Sequence, residues 1–199
     1  MPPLTVLLTT HNRLEYTKRT MKSLLFTIPA DTEYVLVDNC STENGFEEYL
    51  NGMEELGIKI IRMEENKGWG AAVNEGLRYC NTEYILVTNN DVEYKQGWFE
   101  QSIGLYGKYP QIGILGVWKH TAHGVREDLG DIQIKDDMPA VGWLVKRSVL
   151  DQVGDFPEHG PCSTKGGNGE DSAYVNRVHK EGLWVVGPKE DIAVHIDGY

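Results

Sequence analysis

Short apolar runs alternate with segments of helical period along almost the whole chain. Each run is followed by turn or capping residues and then by apolar side chains three or four residues apart, the pattern of a strand followed by a helix. Repeated β-α-β units bring successive strands side by side in the same direction. The sequence therefore predicts an α/β fold with a mainly parallel central sheet and helices on both faces.

The predicted elements follow one another without an internal repeat or an obvious linker. The predicted strands cover residues 5–9, 34–37, 58–63, 84–88, 112–117, 140–145, 183–186 and 192–195. The predicted helices cover residues 14–28, 71–80, 98–106, 148–153 and 171–180. Asn12 and Glu15 have the spacing of a capping box at the start of the first helix. After Trp118 we expect a hairpin or an excursion near the site, up to Asp137, and a long loop over residues 155–169.

The length and composition are those of a single globular domain. The chain has 199 residues, of which 40% are hydrophobic, enough to bury one core. It has no run of 18 or more apolar residues, and its first residues lack the basic and apolar parts of a signal peptide. Three cysteines without a C-x-x-C pair argue against a disulfide framework or a zinc site. We expect a cytoplasmic protein that touches a membrane at most peripherally.

The charge balance bears on the kind of ligand. The formal net charge is −11, which repels polyanions and argues against extended nucleic-acid binding. A nucleoside diphosphate can still bind to an acidic protein if a divalent cation neutralises its phosphates. The acidic clusters therefore favour a metal.

Two groups of carboxylates stand out by their positions. Asp91 follows the strand predicted at residues 84–88, and Glu170 and Asp171 follow a glycine-rich loop. Ligands of open α/β sheets bind beyond the carboxyl ends of the strands, so a carboxylate there is suited to hold a ligand or a metal. The structural alternatives are a strand-ending turn at Asp91 and simple complementation of a helix dipole by Glu170 and Asp171. The pattern favours a phosphorylated substrate.

Five segments, in this order, resemble the GT-A fold glycosyltransferases of family 2, which use nucleotide-diphosphate sugars. They are residues 9–13, 37–42, 66–74, 89–91 and 169–171. The block 142–147, followed by 153–156, also matches a recurring strand and helix of that family. The resemblance covers nearly the whole chain. It implies a single domain over residues 1–199, with a nucleotide-binding half at about 1–92 and an acceptor or catalytic half at about 93–199.

The resemblance assigns a nucleotide-binding role to several strand-end residues. Thr9, His11 and Arg13 end the first strand and would line the crevice for the base and ribose. Asp38, at the end of the second strand, would accept a hydrogen bond from a base N–H. The alternative for Asp38 is an Asx-type turn.

Three further residues receive related roles. Lys67 and Gly68 precede a helix, where backbone N–H groups and an ammonium can meet a phosphate or the base. Asn90 can hydrogen-bond a ribose hydroxyl through its carbonyl or its amide. Asn89 and Asn90 stand where the family commonly has acidic residues, which lowers the negative charge of the site.

The resemblance implies a divalent metal, Mn²⁺ or Mg²⁺, at Asp91. A hard cation that bridges two phosphate oxygens needs an anionic oxygen from the protein, and it would stabilise the leaving diphosphate. His195 aligns with a late histidine that completes the metal site in many relatives. The alternative for His195 is a packing or surface role.

The family pattern makes Asp171 the general base that takes the proton of the acceptor hydroxyl. Glu170 would orient the acceptor or cap the helix, and the loop 165–169 would close over bound donor. Gly142 and Trp143 adjoin the region that relatives place near the acceptor, so we expect them to contact substrate.

The predicted function is a metal-assisted, inverting transfer of a sugar from a nucleotide-diphosphate sugar to a hydroxyl acceptor. UDP is the expected nucleotide, and the acceptor would be a glycan, a lipid-linked or a small molecule. A catalytically silent nucleotide-sugar or glycan-binding module is one alternative. A nucleotidyltransferase is another, although the glycine-rich basic loop with which that class usually opens is missing from this sequence.

Overall fold

Strands and helices alternate from the first residues onward, as the sequence predicts. The computed structural model describes residues 1–118, 124–158 and 169–196. The strands are β1 (Leu4–Thr10), β2 (Glu33–Asp38), β3 (Lys59–Arg62), β4 (Tyr84–Asn89), β5 (Val92–Tyr94), β6 (Ile112–Gly116), β7 (Val125–Asp128), β8 (Ile132–Lys135), β9 (Gly142–Lys146), β10 (Trp184–Pro188) and β11 (Ala193–His195). The helices are α1 (Leu14–Thr27), α2 (Phe46–Glu55), α3 (Trp69–Leu77), α4 (Trp98–Lys108), α5 (Arg147–Val153) and α6 (Glu170–Lys180).

Within the described ranges, the central sheet has nine strands in the order β3-β2-β1-β4-β9-β6-β10-β8-β7. β1 pairs in parallel with β2 and β4, and β2 pairs in parallel with β3. β9 is antiparallel to β4 and β6, and β8 is antiparallel to β10 and β7. Since β6 and β10 are parallel to each other, all strands of this sheet except β9 and β8 point the same way. The mainly parallel sheet is confirmed.

Helices cover both faces of the sheet because the strand side chains alternate between two apolar layers. Val6 of β1 packs in the layer that contains Leu24 of α1, together with residues of α2 and α4. Leu7, one position along, packs in the layer that contains Val73 of α3 and Val178 of α6, together with residues of α5. Strands buried on both faces explain why the apolar runs of the sequence are nearly continuous.

The predicted hairpin is present, since β7 and β8 pair antiparallel. The capping box at the start of α1 is wrong. Asn12 and Arg13 have positive φ values of 56° and 63°, and the Asn12 side chain accepts hydrogen bonds from the backbone of the next loop. The N–H of Leu14 donates instead to Glu43 Oε2 at 2.9 Å. Helix α1 is therefore capped by a residue from a distant loop.

Two elements were not predicted. Helix α2 buries Phe46 and Leu50, about one apolar residue per turn, which is a weak helical period. Strand β5 is three residues long and pairs with β11 outside the main sheet. A strand that short has too few positions to show alternation.

The helices of the described ranges were also compared with the thickness of a bilayer. None of them combines the length and the apolar character that a membrane-spanning helix requires.

Candidate functional site

A cleft opens where β1 and β4 end, at the carboxyl edge of the parallel strands. We call it the Asp91 cleft; its volume is about 330 Å³. It is lined by Thr9, Thr10, His11, Arg13, Asn39, Asn66, Gly68, Trp69, Ala72, Asn89, Asn90 and Asp91. The predicted residues Thr9, His11, Arg13, Gly68, Asn90 and Asp91 are thus brought together, and Asp38 and Lys67 lie next to lining residues in the chain.

Asp91 is the carboxylate among the described residues that line this cleft. Its Oδ2 atom lies 2.9 Å from Arg13 Nη1 and 3.4 Å from His195 Nε2. His195 reaches it because β11 pairs antiparallel with β5, which begins next to Asp91, and because the N–H of Ile196 donates to the Asp91 carbonyl at 2.8 Å. Asp91 and His195 are 8% and 9% exposed. Two buried side chains 104 positions apart in the sequence therefore lie in contact.

The pair of Asp91 and His195 fits a divalent cation chemically. Asp91 Oδ1 is buried and has no hydrogen-bond partner in the described part of the chain, so it offers an anionic oxygen. Carboxylate oxygen and imidazole nitrogen are both suitable ligands for Mn²⁺. The described ranges contain no cluster of three or more His, Cys, Asp or Glu side chains for a metal. The phosphates of a ligand or water would have to supply the remaining ligands.

Asn90 is held by a polar network below the cleft. Its amide nitrogen lies 2.9 Å from Thr10 Oγ1, 2.9 Å from Thr17 Oγ1 and 3.0 Å from the Asn12 carbonyl. The amide hydrogens are therefore used within the protein. Of the two groups predicted to meet a ribose, the carbonyl is the one that remains for a ligand.

The turn between β1 and α1 is strained and well braced. Asn12 and Arg13 both adopt the left-handed conformation, which costs of order 1–3 kcal/mol per non-glycine residue. Asn12 N donates to Ser41 Oγ at 2.7 Å, and Asn12 Oδ1 accepts from the backbone N–H groups of Thr42 and Glu43. These bonds hold the conformation that directs Arg13 toward Asp91.

Asp38 forms the Asx-type turn that was the structural alternative to binding a base. Asp38 Oδ1 accepts a hydrogen bond from the Ser41 N–H at 3.0 Å, and Asp38 is 7% exposed. The next residue, Asn39, lines the cleft and its carbonyl lies 2.9 Å from His11 Nδ1. Asp38 thus has a structural role, whether or not its carboxylate also meets a base.

The backbone donors predicted at Lys67 and Gly68 are already used. Lys67 N donates to Asn39 Oδ1 at 3.1 Å, and Gly68 N donates to Asn66 Oδ1 at 3.0 Å. Each of these N–H groups is thus engaged within the protein, and the contact of Lys67 and Gly68 with a phosphate or the base stays a prediction. The Lys67 ammonium lies at the surface, 3.6 Å from Glu65 Oε1.

A second cleft of about 230 Å³ adjoins the first, and we call it the Asp171 cleft. It is lined by Trp69, Asn89, Pro139, Ala140, Val141, Gly169, Glu170 and Asp171. Trp69 and Asn89 line both clefts. The two predicted carboxylates, Asp91 and Asp171, therefore lie in neighbouring cavities that share a wall.

Glu170 and Asp171 make different contacts although they are neighbours. Glu170 is 8% exposed, and its Oε2 atom accepts a hydrogen bond from the Gly70 N–H at 2.8 Å. It thereby caps the first turn of α3 while it begins α6. Asp171 is half-buried and its Oδ1 atom accepts from the Ser172 N–H at 2.8 Å. Residues 165–168 of the loop expected to close over donor lie outside the described residues.

Gly142 and Trp143 are core residues, so the prediction that they contact substrate is wrong. Trp143 is fully buried, its indole N–H donates to the Pro139 carbonyl at 3.0 Å, and its ring packs against Phe156. A Cβ atom at Gly142 would come within 2.7 Å of Tyr94 Oη. Gly142 is therefore required by packing between β9 and its neighbours, and a ring without exposed surface cannot stack on a sugar.

Sequence reasoning missed the importance of Asn39 and passed over Trp69. The Asn39 side chain links three residues of the following loop, because it donates to Asn66 Oδ1 and the Gly68 carbonyl and accepts from Lys67 N. Its position directly after a buried strand was an available signal. Nothing in the sequence position of Trp69 separates it from core tryptophans.

Comparisons with known proteins agree with this architecture. The poly-beta-1,6-N-acetyl-D-glucosamine synthase of Staphylococcus epidermidis is 24% identical over 142 residues, which are 71% of this chain and 34% of that protein. The chain spans 41% or less of the length of the first curated relatives that it matches. Relatedness is thus seen in one part of longer proteins.

Solved structures show the same fold. A mannosyltransferase from Pyrobaculum calidifontis in complex with GDP-Man and Mn²⁺ has a TM-score of 0.76 at 17% identity, covering 98% of this chain and 57% of that one. TarS 1–349 of S. aureus in complex with UDP-GlcNAc has a TM-score of 0.74 at 16% identity, covering 99% and 61%. The family model described as glycosyl transferase family 2 matches residues 5–165. The chain belongs to glycosyl transferase family 2.

Proposed function

We propose that this chain transfers a sugar from a nucleotide-diphosphate sugar to a hydroxyl acceptor. The observation that carries the proposal is the shared wall between the Asp91 cleft and the Asp171 cleft, at Trp69 and Asn89. A glycosyl donor has a charged diphosphate at one end and a reacting sugar at the other. Two adjoining clefts, each with a carboxylate, suit such a ligand and a second substrate.

The Asp91 cleft is the proposed site of the nucleotide and diphosphate. Asp91 and His195 would hold a divalent cation, and a cation bound there would neutralise the diphosphate as the leaving group departs. Arg13, 2.9 Å from Asp91, would contribute a further positive charge to the phosphates. The mannosyltransferase with GDP-Man and Mn²⁺ supports a metal here. UDP is our proposal for the nucleotide.

Asp171 is the proposed general base. Its carboxylate takes the proton of the acceptor hydroxyl while the hydroxyl oxygen bonds to the anomeric carbon. The bond between that carbon and the diphosphate breaks, and its electron pair leaves with the diphosphate. Attack from the face opposite the leaving group inverts the anomeric configuration. Glu170 is proposed to position Trp69 and Gly70 through its bond to the α3 backbone, and its other predicted role, orienting the acceptor, stays a prediction.

The proposed division of the chain follows from these assignments. The residues that line the Asp91 cleft all lie between Thr9 and Asp91, within the nucleotide-binding half proposed at about residues 1–92. The residues that line the Asp171 cleft, apart from Trp69 and Asn89, lie beyond position 138. These belong to the proposed acceptor half at about residues 93–199. A glycan, lipid-linked or small hydroxyl compound is the proposed acceptor, reached in the cytoplasm or at the membrane periphery.

The test is a thermal-shift panel of UDP, GDP, dTDP and CDP, each with and without Mn²⁺, on wild type and Asp91→Ala. A ligand that binds only the folded state raises its stability. We expect a Mn²⁺-dependent rise for one nucleotide, lost in Asp91→Ala. Asp151→Asn is the matched control, since Asp151 is an exposed carboxylate outside both clefts. The absence of a shift with all four nucleotides would contradict the proposal.

A further inference from the structure

Trp69 lies where the two clefts meet. It lines the Asp91 cleft and the Asp171 cleft, and so does Asn89. In a sugar transfer, the sugar lies between the diphosphate and the acceptor hydroxyl, because the broken and formed bonds share its anomeric carbon. A residue that lines both clefts is therefore placed beside that sugar.

The Trp69 ring is held in place from several sides. Its ring packs edge-on against Phe156 and Trp143, with centroid distances of 5.3 and 6.0 Å. The next residue, Gly70, is fixed by the hydrogen bond from its N–H to Glu170. A Cβ atom at Gly70 would clash with the Pro157 carbonyl, so the backbone here is closely packed. These contacts hold the Trp69 ring in a fixed orientation.

The indole N–H of Trp69 lacks the partner that other buried indoles have. Its Nε1 atom is shielded from solvent and makes no hydrogen bond to the residues that the structure describes. By contrast, the Nε1 atom of Trp98 donates to Thr27 Oγ1 at 3.2 Å, and that of Trp143 donates to the Pro139 carbonyl. A buried donor without an acceptor is unfavourable, and a ligand oxygen that accepts from it removes the penalty.

We propose that Trp69 determines specificity for the donor sugar, with its indole N–H donating to a sugar hydroxyl or acyl oxygen and its ring contacting the sugar face. This inference rests on the proposed function of the two clefts. A site that hydrogen-bonds a particular oxygen discriminates against ligands that lack it, because the donor is then left unpaired. Trp69 would thus give the protein different affinities for different nucleotide sugars and for the free nucleotide.

The test is to follow the indole N–H resonances of the uniformly ¹⁵N-labelled protein in the presence of Mg²⁺. The chain has five tryptophans, and the spectrum of Trp69→Phe assigns the signal of Trp69. UDP, UDP-glucose, UDP-galactose, UDP-GlcNAc and GDP-mannose are titrated in turn. We expect the Trp69 signal to move downfield with at least one nucleotide sugar and to stay in place with the corresponding free nucleotide.

The same titrations on Trp69→Phe measure the energetic effect. Affinity for that nucleotide sugar should fall about 3- to 10-fold, while affinity for the free nucleotide is unchanged. Trp98→Phe is the control, because it removes a core indole N–H that is already bonded. Equal losses for sugar and free nucleotide, or a Trp69 signal that no sugar moves, would overturn the inference alone. Failure of wild type to bind every one of these ligands would overturn the proposed function as well.

Discussion

The Asp91 cleft and the Asp171 cleft differ in the side chains that surround them. At the Asp91 end, a buried carboxylate contacts Arg13 and His195, and Asn90 is tied to three acceptors beneath it. At the Asp171 end, the half-buried carboxylate adjoins the apolar surface of Pro139, Ala140 and Val141. Charges of both signs are concentrated at one end, and apolar surface at the other.

This difference supports the separate roles that we propose for the two clefts. A diphosphate needs opposite charge, which Arg13 and a cation held by Asp91 and His195 would supply under this proposal. A hydroxyl acceptor carries little charge and needs contact surface and a base, which the Asp171 cleft would supply under the proposed mechanism. We therefore expect changes at the first end to affect binding of the nucleotide and changes at the second to affect turnover.

The largest expected effect is at Asp171. Asp171→Asn keeps the size of the side chain and removes the base, so turnover should fall about 100- to 10,000-fold. Donor hydrolysis, measured as nucleotide release with water as the acceptor, reports it without knowledge of the natural acceptor. Asp151→Asn, which alters an exposed carboxylate 3.9 Å from Arg147, should leave turnover unchanged. Hydrolysis at the wild-type rate in Asp171→Asn would refute the role of this residue.

A smaller effect is expected at Arg13, which lines the Asp91 cleft. Arg13→Gln removes the positive charge beside Asp91, and the loss of its charge-assisted hydrogen bond to the diphosphate should weaken binding of UDP in the presence of Mn²⁺ about 10- to 100-fold. Calorimetric titration measures this change. Arg19→Gln, which removes an exposed ion pair between Arg19 of α1 and Glu93 of β5, is the matched control. Undiminished affinity in Arg13→Gln would show that Arg13 serves only to brace Asp91.

A substitution at Glu170 distinguishes a role in capping α3 from a role in catalysis. Glu170→Gln retains an oxygen acceptor for the Gly70 N–H and removes the negative charge at the start of α3. We expect a loss of about 1–2 kcal/mol in the free energy of unfolding and a decrease in turnover of only a few-fold. Urea denaturation and donor hydrolysis measure the two quantities. A decrease in turnover as large as that of Asp171→Asn would mean that Glu170 acts on substrate.

The smallest effect concerns a group outside both clefts. Burial raises the pKa of the Cys80 thiol to about 12 from an ordinary value of 9.0. The folded state thus favours the neutral thiol, so its contribution to stability is complete below pH 9 and declines as pH rises toward 12, by up to about 1.4 kcal/mol per pH unit.

Urea denaturation of wild type and Cys80→Ser between pH 8 and 10.5 isolates this contribution. The burial of Tyr34 and Tyr49, which raises the pKa of each to about 12, acts equally in both proteins. We expect the unfolding free energy of wild type to decrease more steeply above pH 9 than that of Cys80→Ser. Parallel curves would show that Cys80 ionises freely in the folded protein.

The central strands were the easiest part of the fold to predict. β1 and β4 are buried on both faces, so their apolar runs are clear in the sequence, and the rule that ligands bind at strand ends points to Thr9 and Asp91. The position of His195 beside Asp91 could be suggested only by resemblance, because it depends on pairing between two three-residue strands.

Contacts between distant parts of the chain were beyond sequence reasoning. Glu170 caps a helix that begins 101 positions earlier, at Trp69, through the N–H of Gly70. Glu43 similarly replaces the predicted Asn12 cap of α1. Trp143 has an aromatic ring of the kind that stacks on sugars, but it lies inside the core. Whether an individual aromatic residue is buried depends on which helices cover the sheet. Local patterns do not encode such contacts.

The most direct test compares nucleotide binding in two variants. Mn²⁺ with UDP, or with the nucleotide that stabilises wild type in the thermal-shift panel, is titrated calorimetrically into wild type, Asp91→Ala and Asp171→Asn. Our account predicts wild-type affinity in Asp171→Asn and a loss of about 100-fold or more in Asp91→Ala. Equal loss of affinity in both variants would contradict the division of work between the two carboxylates.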